Sequence, residues 1–285
     1  MAAGDKIFQA RYLEIGASQI AGVVAAKINT AFTGREDPGA AGSPGPAGRI
    51  VGHRRITVEA YAIHESIMVA MGVSFNGTAV AGATYARITP STVERIDQGV
   101  AAWPGDAGAI LTRKMLAVEI YGNQYAALMA MIGETAANVA VAVLDNDSAA
   151  QTVTVTNVYF SEAISPVDIP EKDAGGKLAP YGIRGWVNWG GADTFATVLT
   201  STSAGAFGLL AILGTAQANA VIGTVGAGGA AEKITVKNVT WTMVTSNIEI
   251  PANDAGGKLA LFGVRGYAAW ASTDTLATMI VAAAD

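Results

Sequence analysis

The chain has 285 residues, enough for one large or two ordinary domains, and 14% of them are charged, against about 25% in an average globular protein. A net charge of −5 leaves no basic footprint of the kind that phosphate neutralisation demands, which excludes tight nucleic-acid binding. The absence of cysteine excludes a disulfide framework and Cys-based zinc sites, and it suits a chain folded in a reducing cytoplasm.

The first residues, MAAGDKIFQARYLEIG, carry Asp5, Lys6 and Arg11 and contain no apolar run of signal-peptide length, so export by that route is not expected. SQIAGVVAAKINTAF and RIVGHRRITVEAYA read as strands. The tract between them, GREDPGAAGSPGPAGR at 34–49, reads as a long loop extending a hairpin; such loops in compact domains are usually functional or disordered. KMLAVEIY (114–121) and ANVAVAVL (137–144) have the period of two that marks half-buried strands, whereas YAALMAMIG (125–133) suggests a short helix ended by glycine. TVTVTNVYF, from 152, again alternates as a strand, and DAGGKLA at 173–179 reads as a tight turn.

Residues 194–231 contain no charge but are mostly Ala, Gly and Thr with Gln217 and Asn219 in the middle, so no membrane span is expected. Within them FGLLAILG (207–214) is a second short helix candidate, and GTVGAGGAAEK (223–233) is a Gly-rich turn lacking the G-K-[ST] ending of a P-loop. KITVKNVTW reads as a strand, and DAGGKLA returns unchanged at 254–260.

That return belongs to a larger duplication. Residues 153–197 align without a gap on 234–278, with 22 identities in 45, and the offset of 81 carries upstream to pair AMIGETAANVAVAV with AILGTAQANAVIGT. A fainter match at an offset of about 60 lays Val58, Glu59 and Tyr61 on Val118, Glu119 and Tyr121. These matches predict an all-β chain with short helices, built from tandemly repeated sandwich or half-barrel units. The divisions expected are an N-terminal pair of strands with the loop (1–53), a degenerate first unit (54–112), a second (113–193) and a third (194–285).

Catalytic groups do not converge in the sequence. His53 and His64 lack H-E-x-x-H spacing, no G-x-S-x-G elbow is present, and the Asp145/Asp147 pair falls on Gly226 and Gly228 in the other copy. No enzyme activity, cofactor or metal site is expected. The duplicated Arg184 and Arg265, each between glycines and near Trp189 or Trp270, could pair with a neighbouring subunit's carboxylate or make an intrachain salt bridge, with Asp193 or Asp274 as the local partner.

In plan the chain resembles bacteriophage virion structural proteins, most of all the tail-tube proteins. The resemblance lies in the early strands with their long loop, INTAFTGREDPGAAGSPGPAGRIVGHRRITVEAYA, in one short helix per unit, in the duplicated β units and in LAPYGIRGWVNWGGADTFATV. It implies a homo-oligomeric ring, trimer or hexamer, whose rings stack into a tube through which DNA passes. It also implies other virion proteins as partners, host-cytoplasmic assembly into the virion, and a bridging role between rings for the loop from Arg35 to Arg49. The candidate assembly residues are therefore Arg35, Asp37, Arg49, Arg184 and Arg265. A capsid decoration protein and a cell-surface array or adhesin-like repeat protein are the alternatives.

Overall fold

The computed structural model describes residues 9–20, 22–37, 48–63, 69–99, 104–144, 150–164, 181–202, 207–225, 231–246, 248–250 and 261–284. The first half of the chain forms β1 (Gln9–Ile15), β2 (Ser18–Ile20), β3 (Val23–Asp37), β4 (Gly48–Ile63), β5 (Val69–Phe75), β6 (Thr78–Ala79), β7 (Ala83–Asp97), β8 (Gly108–Gly122) and the helix α1 (Tyr125–Met129). Then come β9 (Ala137–Leu144), β10 (Ala150–Ala163), β11 (Tyr181–Val187), α2 (Phe195–Val198), β12 (Leu199–Ser201) and α3 (Gly208–Ala211). The chain ends with β13 (Ala218–Val225), β14 (Ala231–Val244), β15 (Ile248–Ile250), β16 (Leu261–Ala268), α4 (Leu276–Met279) and β17 (Ile280–Ala284).

The fold is all-β, in two antiparallel sheets. The first runs β2-β1-β13-β14-β16-β4-β3, with β17 added on β14; the second runs β6-β5-β9-β10-β11-β8-β7, with β12 on β10 and β15 on β7. Position by position these are one strand order written twice. In each sheet the ends approach, β1 against β3 and β5 against β7, so each sheet curls back on itself and is not a flat layer.

The two sequence offsets reappear in the strand pairing. Residues sixty apart occupy like places in the hairpins β3–β4 and β7–β8, where Lys27 opposes Glu59 and Arg87 opposes Glu119. Residues 81 apart do so in the later strands, where Val153 opposes Val141 and Ile234 opposes Ile222. Apart from β15 (Ile248–Ile250), the second sheet draws on residues 69–201, which stand between the two stretches, 9–63 and 218–284, that build the first. The divisions read from sequence at 53/54 and 112/113 fall within β4 and β8, because each is one continuous hairpin strand.

Alternation places Val139, Val141, Val143, Val153 and Val155 in the core, all fully buried; full burial of such a side chain is worth about 1.5–3 kcal/mol over exposure. The alternation then breaks. Asn157 and Asn238 adopt left-handed backbone, φ 56° and 57°, and the register shifts beside each. The shift turns Val158 and Phe160, and likewise Val239 and Trp241, inward, so TVTVTNVYF is a bulged strand and not the uniform one its pattern suggests.

Both expected helices are present, as α1 and α3, but they stop at Met129 and Ala211, and the glycines with positive φ, Gly133 and Gly214, lie four and three residues further on. Two more, α2 and α4, were not expected. Each starts at a threonine cap, Thr194 or Thr275, whose hydroxyl accepts from the backbone of Thr197 or Thr278, which bonds back in turn. DTFAT and DTLAT are thus helix starts. Among the described residues no helix is long and apolar enough to cross a membrane.

Candidate assembly interface

The duplicated arginines lie on β11 and β16, each opposite a glutamate of the neighbouring strand: Arg184 faces Glu119 and Arg265 faces Glu59 in register. Arg184 Nε and Nη2 donate to Glu119 Oε1 at 2.9 and 2.7 Å, and Nη1 approaches Glu162 at 3.4 Å. Arg265 Nε and Nη2 reach Glu59 Oε1 at 2.9 and 2.7 Å. A tyrosine two residues along the strand completes each clamp: Tyr121 donates to Glu119 at 2.9 Å and Tyr61 to Glu59 at 2.7 Å.

Glu119 and Glu59 are buried, at 4% and 6% exposure. The Tyr61 hydroxyl and the Arg265 guanidinium hold Glu59 below its ordinary value in spite of burial. At Glu119 burial pulls the other way more strongly, yet Arg184 and Tyr121 still hold it low. The arginines thus serve the intrachain reading, and the aspartates proposed as local partners do something else. Asp193 accepts from the Gly190 N–H and Asp274 from the Ala271 N–H, each at 2.7 Å, closing the turn before a short helix.

The sequence did not reveal the contact that joins the two sheets. Hairpin β7–β8 of the second sheet lies across β14 and β16 of the first. Glu94 on β7 accepts from the hydroxyls of Thr242, at 2.5 Å, and Tyr267, at 2.7 Å, while Thr92 Oγ1 accepts from the Val244 N–H. Burial, and then the bond to Glu94, push the Tyr267 hydroxyl above its ordinary value. In return β15, which follows β14, pairs with Ala86–Ile88 on the outer edge of β7.

The end of the hairpin is pinned as well. Asp106, fully buried, accepts from His53 Nε2 and Arg55 Nε, both at 2.6 Å, and its carbonyl accepts from the Trp270 N–H. The hydrogen bond to the Asp106 carboxylate raises the Arg55 guanidinium above its ordinary value. Gly105 permits the approach, since a Cβ there would meet the Arg54 carbonyl and the Trp270 ring at 2.5 Å. Beside this point a cavity of about 300 Å³ is lined by Ala31, Thr33, His53, Arg55 and Gln98.

Of the remaining candidates, Arg35 and Asp37 lie near the end of β3 and Arg49 near the start of β4, where Arg35 opposes Ile50, Glu36 opposes Arg49 and Asp37 opposes Gly48. Strand pairing therefore runs further into the 34–49 tract than a loop would allow. Residues 38–47, both DAGGKLA segments and residues 145–149 and 226–230 lie outside the described residues. Among the described residues no three His, Cys, Asp or Glu side chains gather as a metal site would require. Compared with protein-family models and with curated proteins, the chain matches neither.

Proposed function

We propose that the chain is a non-enzymatic structural protein that assembles with copies of itself into rings, and that these rings form the tube of a phage tail through which DNA passes. The observation that carries this reading is the internal contact between like units: two sheets of one strand order, one clasping the other through a long hairpin and receiving a strand in exchange. A unit that already joins its own likeness inside one chain has the surfaces with which to join it between chains. With two units per chain, three chains would make a ring of six. The acid excess fits a lumen that lets DNA slide without holding it, and other virion proteins would meet the tube at its ends.

The experiment is negative-stain electron microscopy of the purified protein at rising concentration, with light scattering for mass. Rings or hollow tubes are the expected result. A particle of one chain's mass at every concentration would overturn the reading, and small oligomers that bind only a capsid lattice would transfer the protein to the head surface.

A further inference from the structure

Two sheets of one strand order differ in what covers them. Under hairpin β7–β8 the first sheet buries Tyr267, Thr242 and Ala269; at the same places in the second sheet Trp186, Ser161 and Asn188 are exposed. Trp186 is 39% exposed, as is Tyr159 beside it on β10.

The chain also carries a second hairpin of the same build. β3–β4 repeats β7–β8 pair for pair, including its two bulges, at Val23/Ala25 and Thr33/Gly34 against Ala83/Tyr85 and Val93/Glu94. Phe32 stands where Thr92 receives the Val244 N–H, and it is 51% exposed. On the outer edge, Ala86 and Ile88 of β7 are fully buried beneath β15. Ala26 and Ile28, at the matching places of β3, are only partly buried, and among the described residues β3 is the last strand of its sheet.

We infer that a second copy of this chain seats its β3–β4 hairpin on the β10–β11 face, in the geometry by which β7–β8 sits on β14 and β16. The inference rests on the self-assembly reading and names its surface. The chemistry of the two contacts differs in a way that suits their settings. Inside the chain, where the sheets are tethered, the tie is polar, through Glu94, Tyr267 and Thr242. Between copies Phe32 would lie over Ala163 and Trp186, the apolar and aromatic content that interface centres favour.

The contact is also heterologous, hairpin of one copy to face of the next. Each added copy presents the same hairpin and the same face, so the series closes as a ring or continues as a filament and does not stop at a pair.

Cysteine pairs test this directly in a chain that has no cysteine of its own. Phe32→Cys and Ala163→Cys proteins, mixed under mild oxidation, are expected to give a covalent dimer that neither variant gives alone. Thr92→Cys with Val244→Cys in one chain serves as the reference, since it reports whether the internal contact being copied can be bridged. The third variant, Trp186→Glu on an exposed site, is expected to raise the concentration needed for assembly by roughly thirty-fold, with an unchanged circular dichroism spectrum and melting temperature.

If the wild-type chain assembles and the reference pair forms, but Phe32→Cys and Ala163→Cys do not join and Trp186→Glu assembles normally, the surface is refuted while self-assembly stands. A wild-type chain that never assembles removes both.

Discussion

The two sheets hold the same glutamate, arginine and tyrosine at the same register, yet they do not hold them with equal security. In the second sheet Glu119 lies between two guanidiniums, Arg184 at 2.7 Å and Arg87 at 3.4 Å. In the first sheet the place of Arg87 is taken by Lys27, opposite Glu59 but exposed, and Arg265 carries the hydrogen bonds. The cores differ too: Phe160 is matched by Trp241, whose indole nitrogen has no hydrogen-bond partner among the described residues. The two sheets share strand order and register but differ in side chains, so each serves as the control for the other.

The largest effect should come from Trp241. Trp241→Ala empties a fully buried site and is expected to cost about 3–5 kcal/mol, read as a fall in the denaturant midpoint. Trp241→Phe, which installs the residue the other sheet uses, should cost about 1 kcal/mol, because the cavity is smaller and the unpaired indole N–H disappears with it. Equal losses for the two substitutions would mean that the sites are not interchangeable, and the correspondence of the sheets would stop at the backbone.

Next come the clamps. Removing one partner of a fully buried ion pair costs about 3–5 kcal/mol, and the roughly one-third exposure of both arginines lowers that. Arg265→Ala is expected to cost about 2 kcal/mol and Arg184→Ala about half as much, because Arg87 remains beside Glu119. Acid should reveal the same ranking. Both glutamates sit below their ordinary value of 4.5, so their stabilisation is complete above that value and is lost as the pH falls through the lower folded-state value. The melting temperature should therefore drop on acidification below about pH 4.5, and Arg265→Ala should flatten that acid limb more than Arg184→Ala does.

What could be read from sequence followed from how local its cause is. Strands announced themselves because β-branched residues alternate against a core, and α1 and α3 because each is a short apolar run with a glycine of positive φ soon after it. The bulges at Asn157 and Asn238 were hidden, since one asparagine interrupts a pattern of two only when its backbone turns left-handed. DTFAT and DTLAT carry a legible signal, a threonine followed three residues on by another, and the aspartate before each closes the preceding turn. The assembly of the sheets was less visible still. It depends on Glu94 meeting Thr242 and Tyr267, partners 148 and 173 residues away, and no window of sequence contains such a pair. The offset of 60 held the clue, because it ends where the offset of 81 begins.

Glu94 gives a smaller and more local effect. Glu94→Gln keeps the shape and can still accept one hydroxyl, so global stability should fall by about 1 kcal/mol. Amide exchange in β7 and β14 should quicken, while β10 and β11 keep their rates. If β10 and β11 quickened equally, hairpin β7–β8 would be coupled to both sheets alike, and the clasp would not be specific to the first.

The short helices supply the finest comparison. Thr194→Ala and Thr275→Ala each remove a hydroxyl that satisfies one backbone N–H at a helix start, a change worth about 1 kcal/mol in longer helices. Here each helix is a single turn, and it is followed at once by β12 or β17, which pairs with β10 or β14. The cap therefore aims the strand that follows as well as holding the turn. β12 makes three pairings with β10 and β17 makes five with β14, so the shorter strand depends more on its cap. Thr194→Ala should cost more than Thr275→Ala, by a few tenths of a kcal/mol at most. Exchange at the β12 amides should report the difference before any melting curve does, and the reverse order would mean that the two turns are held by their neighbours and not by their caps.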